Sequence, residues 1–136
     1  MPIAQTLCSS FKQELGQAIH NLPVDNLRMA LYVSAASLGP TTTVYSSTNE
    51  VVGTGYTAGG VTLTGVQWVL SGTVAYLTFA NPSWAGSLTA RGALIYNSSK
   101  ANRAIAVLDF GADKTANPFV VQLPAASATS ALIRIV

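Results

Sequence analysis

Apolar and polar residues along this chain recur mostly at the two-residue spacing of β-strands, and a single stretch near the start repeats at helical spacing. In that stretch Phe11, Leu15, Ala18, Ile19 and Leu22 form an apolar stripe, and Ser10 with Gln13 makes an S-x-x-Q capping box ahead of it. The pattern predicts one helix over Phe11 to Asn21, ended by Pro23 and preceded by an N-terminal arm over residues 1–9. Its stripe needs a cover, either an open edge of a sheet or another subunit.

The strands follow. Leu27 to Ser34 sets Leu27, Met29, Leu31 and Val33 on one face against Arg28, Tyr32 and Ser34 on the other, which predicts a half-buried strand. Thr41 to Tyr45 reads as a short strand, and Ser47 with Glu50 offers a second capping box for a single helical turn. Beyond the glycine loop of Gly53, Gly55, Gly59 and Gly60 come Val61 to Thr64, Val66 to Leu70 and Thr73 to Phe79, with Ser71-Gly72 as a tight turn. Ala104 to Leu108 is apolar on both alternating faces and Leu88 to Tyr96 is nearly as apolar, so they read as the two-sided centre of the fold, joined through the polar break Asn97 to Asn102. Gly111 to Lys114 is expected to turn the chain, and Phe119 to Leu123 and Ala131 to Val136 are the last strands. Seven or eight short strands with frequent turn signals predict an all-β, jelly-roll-like β-sandwich over residues 27–136, with one short N-terminal helix in the same single domain. The Cys…Trp…Cys spacing of immunoglobulin domains is missing, which favours the jelly roll.

Composition narrows the function classes. The 136 residues are 49% hydrophobic and only 9% charged, so polar surface must come from Ser, Thr, Asn and Gly, and a surface so weakly charged repels its neighbours poorly. The seven basic residues, Lys12, Arg28, Arg91, Lys100, Arg103, Lys114 and Arg134, are scattered, whereas nucleic-acid binding needs a clustered footprint. No apolar run reaches the roughly eighteen residues of a membrane span. The opening Met-Pro-Ile-Ala-Gln has neither a basic nor an apolar region, so no secretory signal is expected, and the lone Cys8 reads as a small apolar side chain made in a reducing cytoplasm.

Chemistry is thin. The one histidine, His20, is expected at the helix end, bonding the last carbonyls. Among the acids Glu14, Asp25, Glu50, Asp109 and Asp113, Asp109 faces Arg91 or Arg103 across a sheet as a structural pair. One His and one Cys make no zinc site, and neither phosphate-binding glycine motif is complete in GTGYTAGG. No catalytic residue, metal or cofactor is expected. Tyr45, Tyr56 and Trp84 fall in predicted loops and are the candidate partner contacts, as aromatics suited to a protein interface or to stacking on a sugar ring.

Two blocks, LRMALYVSAASLGPTTTVYSSTNEVVGTGYTAGGVTLTG from Leu27 and SLTARGALIYNSSKANRAIAVLDFGADK from Ser87, give the chain from about Phe11 onward a resemblance to the capsid cement, or decoration, proteins of tailed bacteriophages. The resemblance implies a non-enzymatic jelly-roll protein of the virion. Such a protein is made in the host cytoplasm, sits outside the major capsid protein shell, and clamps neighbouring subunits as a homodimer. It supplies no motif from which individual binding residues could be carried over. The competing expectation is a carbohydrate-binding β-sandwich of a fibre or tail, with Trp84, Tyr45 or Tyr56 as its stacking platforms.

Overall fold

The computed structural model describes residues 3–124 and 131–135. The elements in chain order are β1 (Thr6–Leu7), α1 (Ser9–Gly16), β2 (Leu27–Tyr32), β3 (Val61–Thr62), β4 (Gln67–Ser71), β5 (Val74–Thr78), β6 (Ser83–Trp84), β7 (Leu88–Asn97), β8 (Arg103–Ala116), β9 (Phe119–Val120) and β10 (Ile133–Ile135). The main sheet runs β1-β8-β7-β2-β3, a smaller one runs β10-β5-β4, and β6 pairs with β9. All of these strand pairs are antiparallel. The all-β class with one short N-terminal helix is therefore as expected. The strand order does not by itself trace a jelly-roll path. Ten strands are present among the described residues, more than the seven or eight expected, because two-residue pairings at Thr6–Leu7 and Ser83–Trp84 had no apolar alternation to announce them.

The β7–β8 hairpin is the centre of the main sheet. Ala93, Leu94 and Ile95 of β7 and Ala104 and Ile105 of β8 are fully buried, and the polar break falls at Ser98 to Asn102 as expected. The strands are longer than their apolar runs, since β8 continues through Gly111 to Ala116 where a turn is expected. The glycine acts differently. Gly92 faces Asp109 and Ala90 faces Lys114, so Phe110 to Asp113 bulge opposite Arg91 alone, with Gly111 at a φ of 84°. A wide bulge of this kind absorbs turn-forming residues without ending the strand.

β2 corrects a second expectation. Ala30 and Tyr32 are as buried as Leu27, Met29 and Leu31, so the strand is covered on both faces. It lies inside the sheet between β7 and β3, and the segment after it folds back over it, with Val51 N–H donating to the Leu31 carbonyl at 2.9 Å. The helix is shorter than its stripe: it ends at Gly16, and Ala18 turns into the left-handed region at a φ of 58°, well before Pro23. Cys8, not Ser10, is the N-cap residue and supplies no side-chain cap, because its N–H is held by the Ile105 carbonyl and the helix starts where the chain leaves β8. Thr6–Leu7 of the supposed arm is paired to β8, so Cys8 follows a strand and is not ahead of the first element.

Smaller differences have local causes. Thr41 to Tyr45 contributes one bridge, Val44 to Arg103, and Ser47 to Glu50 forms a turn in place of a helical one, which leaves Glu50 bridged to Tyr32. The β4–β5 turn residues are Gly72 and Thr73, one position later than expected, since Ser71 pairs with Val74. Phe119 to Leu123 shortens to β9, and of Ala131 to Val136 only Ile133–Ile135 is strand, Val136 lying outside the described residues.

Gly60 is where the glycine loop meets the core. Its φ is 79°, and a Cβ there would stand 1.8 Å from the Met29 carbonyl oxygen, inside backbone that cannot move aside. Gly60→Ala is expected to destabilise the fold by more than about 3 kcal/mol, seen as a melting temperature lower by roughly 10 °C. A shift within about 1 °C would show that this close approach is not required.

Candidate functional site

The last two residues of β7 point to opposite faces of the main sheet and anchor one buried polar cluster each. Tyr96 serves the first. Its hydroxyl donates to the Gly59 carbonyl at 2.6 Å, and its ring stacks on Tyr45 at 4.7 Å. Arg28, its cross-strand partner on β2, donates to the carbonyls of Gly59 and Gly60 at 3.3 and 2.8 Å. The buried Glu50 closes the cluster: its carboxylate accepts from the hydroxyls of Tyr45, at 2.6 Å, and Tyr56, and from the Gly59 N–H at 2.8 Å. Tyr56 in turn accepts from the Leu31 N–H at 3.0 Å, and Tyr32 donates to the Ser46 carbonyl at 2.7 Å. Burial, followed by the hydrogen bond and charge of Glu50, raises the Tyr45 and Tyr56 phenols well above their ordinary value, so both remain protonated donors.

Asn97 serves the second cluster and is completely buried. Its amide nitrogen donates to Asp25 Oδ2 at 2.7 Å and to His20 Nδ1 at 3.0 Å, while its oxygen accepts from the Ser99 N–H at 3.0 Å. Because the amide nitrogen can only donate, His20 Nδ1 accepts, and the ring proton sits on Nε2, 2.8 Å from Glu14 Oε1. Arg103 holds the other Glu14 oxygen at 2.8 Å, and Lys100 holds both Asp25 oxygens at 3.0 Å. The order is Arg103, Glu14, His20, Asn97, Asp25, Lys100. His20 is thus not a cap on the helix carbonyls; it lies past the helix end, where the reversed chain carries it back against Glu14 and the Phe11 ring.

The residues expected to face a partner lie elsewhere. Trp84 is 2% exposed, clasped in β6 between Tyr56 and Phe119, because the Asn81 to Gly86 loop pairs with β9 instead of staying open. Tyr45 and Tyr56 are half-buried, with hydroxyls turned inward to Glu50. The three aromatics do not form a stacking platform. Asp109 does pair with Arg91, at 2.9 Å. Cys8 is fully buried, and burial, followed by the nearby Glu14, pushes its thiol up to about 11. Trp68 packs against the core, though it is only partly buried.

No family model, curated protein or solved structure matches the chain. What the geometry itself offers is closure. In both clusters every carboxylate oxygen and both imidazole nitrogens are occupied by partners within the chain, which leaves no free base beside a free nucleophile. Among the described residues no group of three or more His, Cys, Asp or Glu is arranged to hold a metal ion. No helix is long and apolar enough to cross a membrane. The depression beside the second cluster, lined by Leu15, His20, Leu22, Pro23 and Trp68, is about 210 Å³. That is smaller than the roughly 300 to 1,000 Å³ of ordinary small-molecule sites.

The second cluster is not legible in sequence, because Asp25 meets Asn97 over a separation of 72 residues and Glu14 meets Arg103 over 89. The first joins Glu50 to Tyr45, Tyr56 and Gly59 over 5, 6 and 9 residues, and its hydrogen bond to β7 runs from Tyr96 to Gly59, 37 residues apart. The usable signal was scarcity: with five acids in the chain, each one at the margin of an apolar run is a candidate for an internal partner.

The two paired aspartates give acid stability a definite sign. Burial alone would raise the Asp25 carboxyl, but the bonds from Asn97, the Asn21 N–H and Lys100 outweigh it and hold the group below its ordinary 3.8. Asp109 is held below 3.8 chiefly by Arg91 and the Gly111 N–H. Folded values below unfolded ones contribute stability that is fully present above the ordinary value and is lost as the pH falls through the folded one. The part of the denaturation midpoint that each aspartate supplies, read as the difference between the wild type and Asp25→Asn or Asp109→Asn, is therefore expected to hold steady from pH 7 to about pH 5 and to shrink below about pH 4. Equal slopes in the wild type and both variants would contradict this assignment.

Proposed function

We propose that the chain is a structural protein of a tailed-bacteriophage virion that binds the outside of the major capsid protein shell, as a homodimer, and clamps neighbouring subunits around the packaged DNA. One observation carries the reading: most of the acids are paired within the molecule while several apolar side chains are left outside. Of the five carboxylates, Glu14, Asp25, Glu50 and Asp109 are bound to partners within the chain. Val52 at 96% and Val24 and Leu70 at 73% are exposed, together with Val44, Val120 and Ile135. A weakly charged exterior bearing apolar residues suits a protein covered by neighbours, because burying unpaired charge at a contact is costly.

The rigidity of the core fits the same role. A sheet whose central strands are buried on both faces resists deformation, and a rigid unit bridging two subunits adds area that must be lost before a joint opens. Many weak copies suffice, since each second contact is made at high effective concentration. The resemblance of the blocks from Leu27 and Ser87 to cement proteins points in the same direction. The carbohydrate-binding alternative is weakened by the burial of Trp84 and by the inward turn of Tyr45 and Tyr56.

The test is titration of purified protein onto assembled shells that lack it. Saturable binding at a simple ratio to the major capsid protein is expected, with shells opening at a higher temperature once decorated. Unchanged opening temperature with no saturable binding would overturn the proposal.

A further inference from the structure

β4 is an open sheet edge with none of the usual protection. Among the described residues its only strand partner is β5, and Gln67-Trp68-Val69-Leu70-Ser71 contains no charge, proline or bulge to discourage pairing. The two-residue turn at Gly72-Thr73 fixes which backbone groups face outward. Ser71 and Val74 flank it as a hydrogen-bonded pair, so Val69 and Gln67 also bond inward to β5, and the N–H and C=O groups of Trp68 and Leu70 point away from the sheet. On the face that carries Trp68, the row Trp68, Leu77, Ile133 packs toward the core, and the next row, Leu70, Ala75, Ile135, runs out from it with Leu70 73% and Ile135 45% exposed.

We propose that this edge pairs antiparallel with the same edge of a second copy of the chain, on a two-fold axis at Val69. In that register Trp68 meets Leu70 of the other copy twice, as hydrogen-bonded pairs that use the four outward groups of each strand, and Gln67 meets Ser71. Val69 meets its own equivalent at the axis as a non-hydrogen-bonded pair. Polar residues face polar ones and apolar face apolar along the whole strand, and the exposed Leu70 comes to lie beside the other copy's indole. Shifting the register to centre on Trp68 or on Leu70 sets Val69 against Gln67 or Ser71, which loses the match. The result is a continuous six-stranded sheet, β10-β5-β4 and its symmetry copy. One five-residue edge buries less than the roughly 1,200 Å² of a standard stable interface, so the pairing is weak for free molecules and fills when copies are held close together.

This deepens the self-association part of the function proposed above, and its test uses isolated protein, so it can fail while shell binding succeeds, or the reverse. Val69→Cys places two thiols across the axis, where non-hydrogen-bonded partners stand about 4.5 Å apart, within disulfide reach. Leu70→Cys places them on the diagonal at about 7 to 8 Å, beyond it. Cys8, fully buried, serves as the silent background. With copper–phenanthroline as oxidant, Val69→Cys is expected to form dimer at least ~10-fold faster than Leu70→Cys, although random collisions would favour the exposed Leu70 position. Sedimentation equilibrium is expected to show a wild-type dimer that Leu70→Lys weakens at least ~10-fold while circular dichroism stays native. Equal or faster cross-linking at Leu70, or a wild type that is monomeric up to about 1 mM, would overturn the proposal. So would a Leu70→Lys variant that loses shell binding but keeps its dimer, which would assign the edge to a strand of another chain.

Discussion

Everything in this fold depends on the adjoining segments of β2, β7 and β8, over Met29 to Tyr32, Gly92 to Tyr96 and Ala104 to Leu108, being buried on both faces. A strand in that position has no solvent side on which to leave a polar side chain, so each polar group that reaches the sheet must find its partners within the protein. Tyr96 and Asn97 show the solution. They end β7 side by side, point to opposite faces, and each seals its face with a cluster closed by a carboxylate, Glu50 for one and Asp25 with Glu14 for the other. Removing the Asn97 amide would leave His20, Asp25 and the Ser99 N–H with unmet bonds at once, a heavier loss than any one of those bonds is worth alone.

The same constraint sorts the molecule into a rigid part and a less covered part. The main sheet is tied at its ends by ion pairs from Arg103 and Lys100 and overlaid by the glycine loop at Gly60. The β10-β5-β4 sheet is different. Among the strands it contains, only Leu77 and Ile133 are buried, and Leu70 and Ile135 stand exposed. Contacts with other molecules are expected from that sheet and from exposed apolar loops such as that of Val52, because a rigid centre can hold them in fixed positions without taking part.

How much of this could be read from the sequence follows from the range of the forces involved. The hairpin from Leu88 and the two-sided burial of Ala104 to Leu108 were visible, because hydrophobic periodicity is a local property. That Asp109 needs a basic partner was also visible, since a lone acid in an apolar strand needs a neighbour, but the choice between Arg91 and Arg103 was not: Arg91 takes it, and Arg103 binds Glu14. The turn expected at Gly111 became a bulge, and the strand expected to be half-buried at Leu27 to Ser34 became interior, because neighbours far away in sequence decide whether a second face is covered. Tyr45, Tyr56 and Trp84 were singled out for partners as loop aromatics. Two of them instead bind Glu50, a residue that capping-box spacing had placed in a helical turn.

Four of the five carboxylates are bound within the chain while Val24, Val52 and Leu70 stand exposed, and the proposed place in a larger assembly rests on that pattern. The most direct measurement is a mass-spectrometric copy count of this chain against the major capsid protein in purified phage particles. The expected result is one copy per capsid subunit or a simple fraction of that ratio, the stoichiometry of a lattice. A handful of copies per particle, or none, would contradict a role as a clamp across the shell.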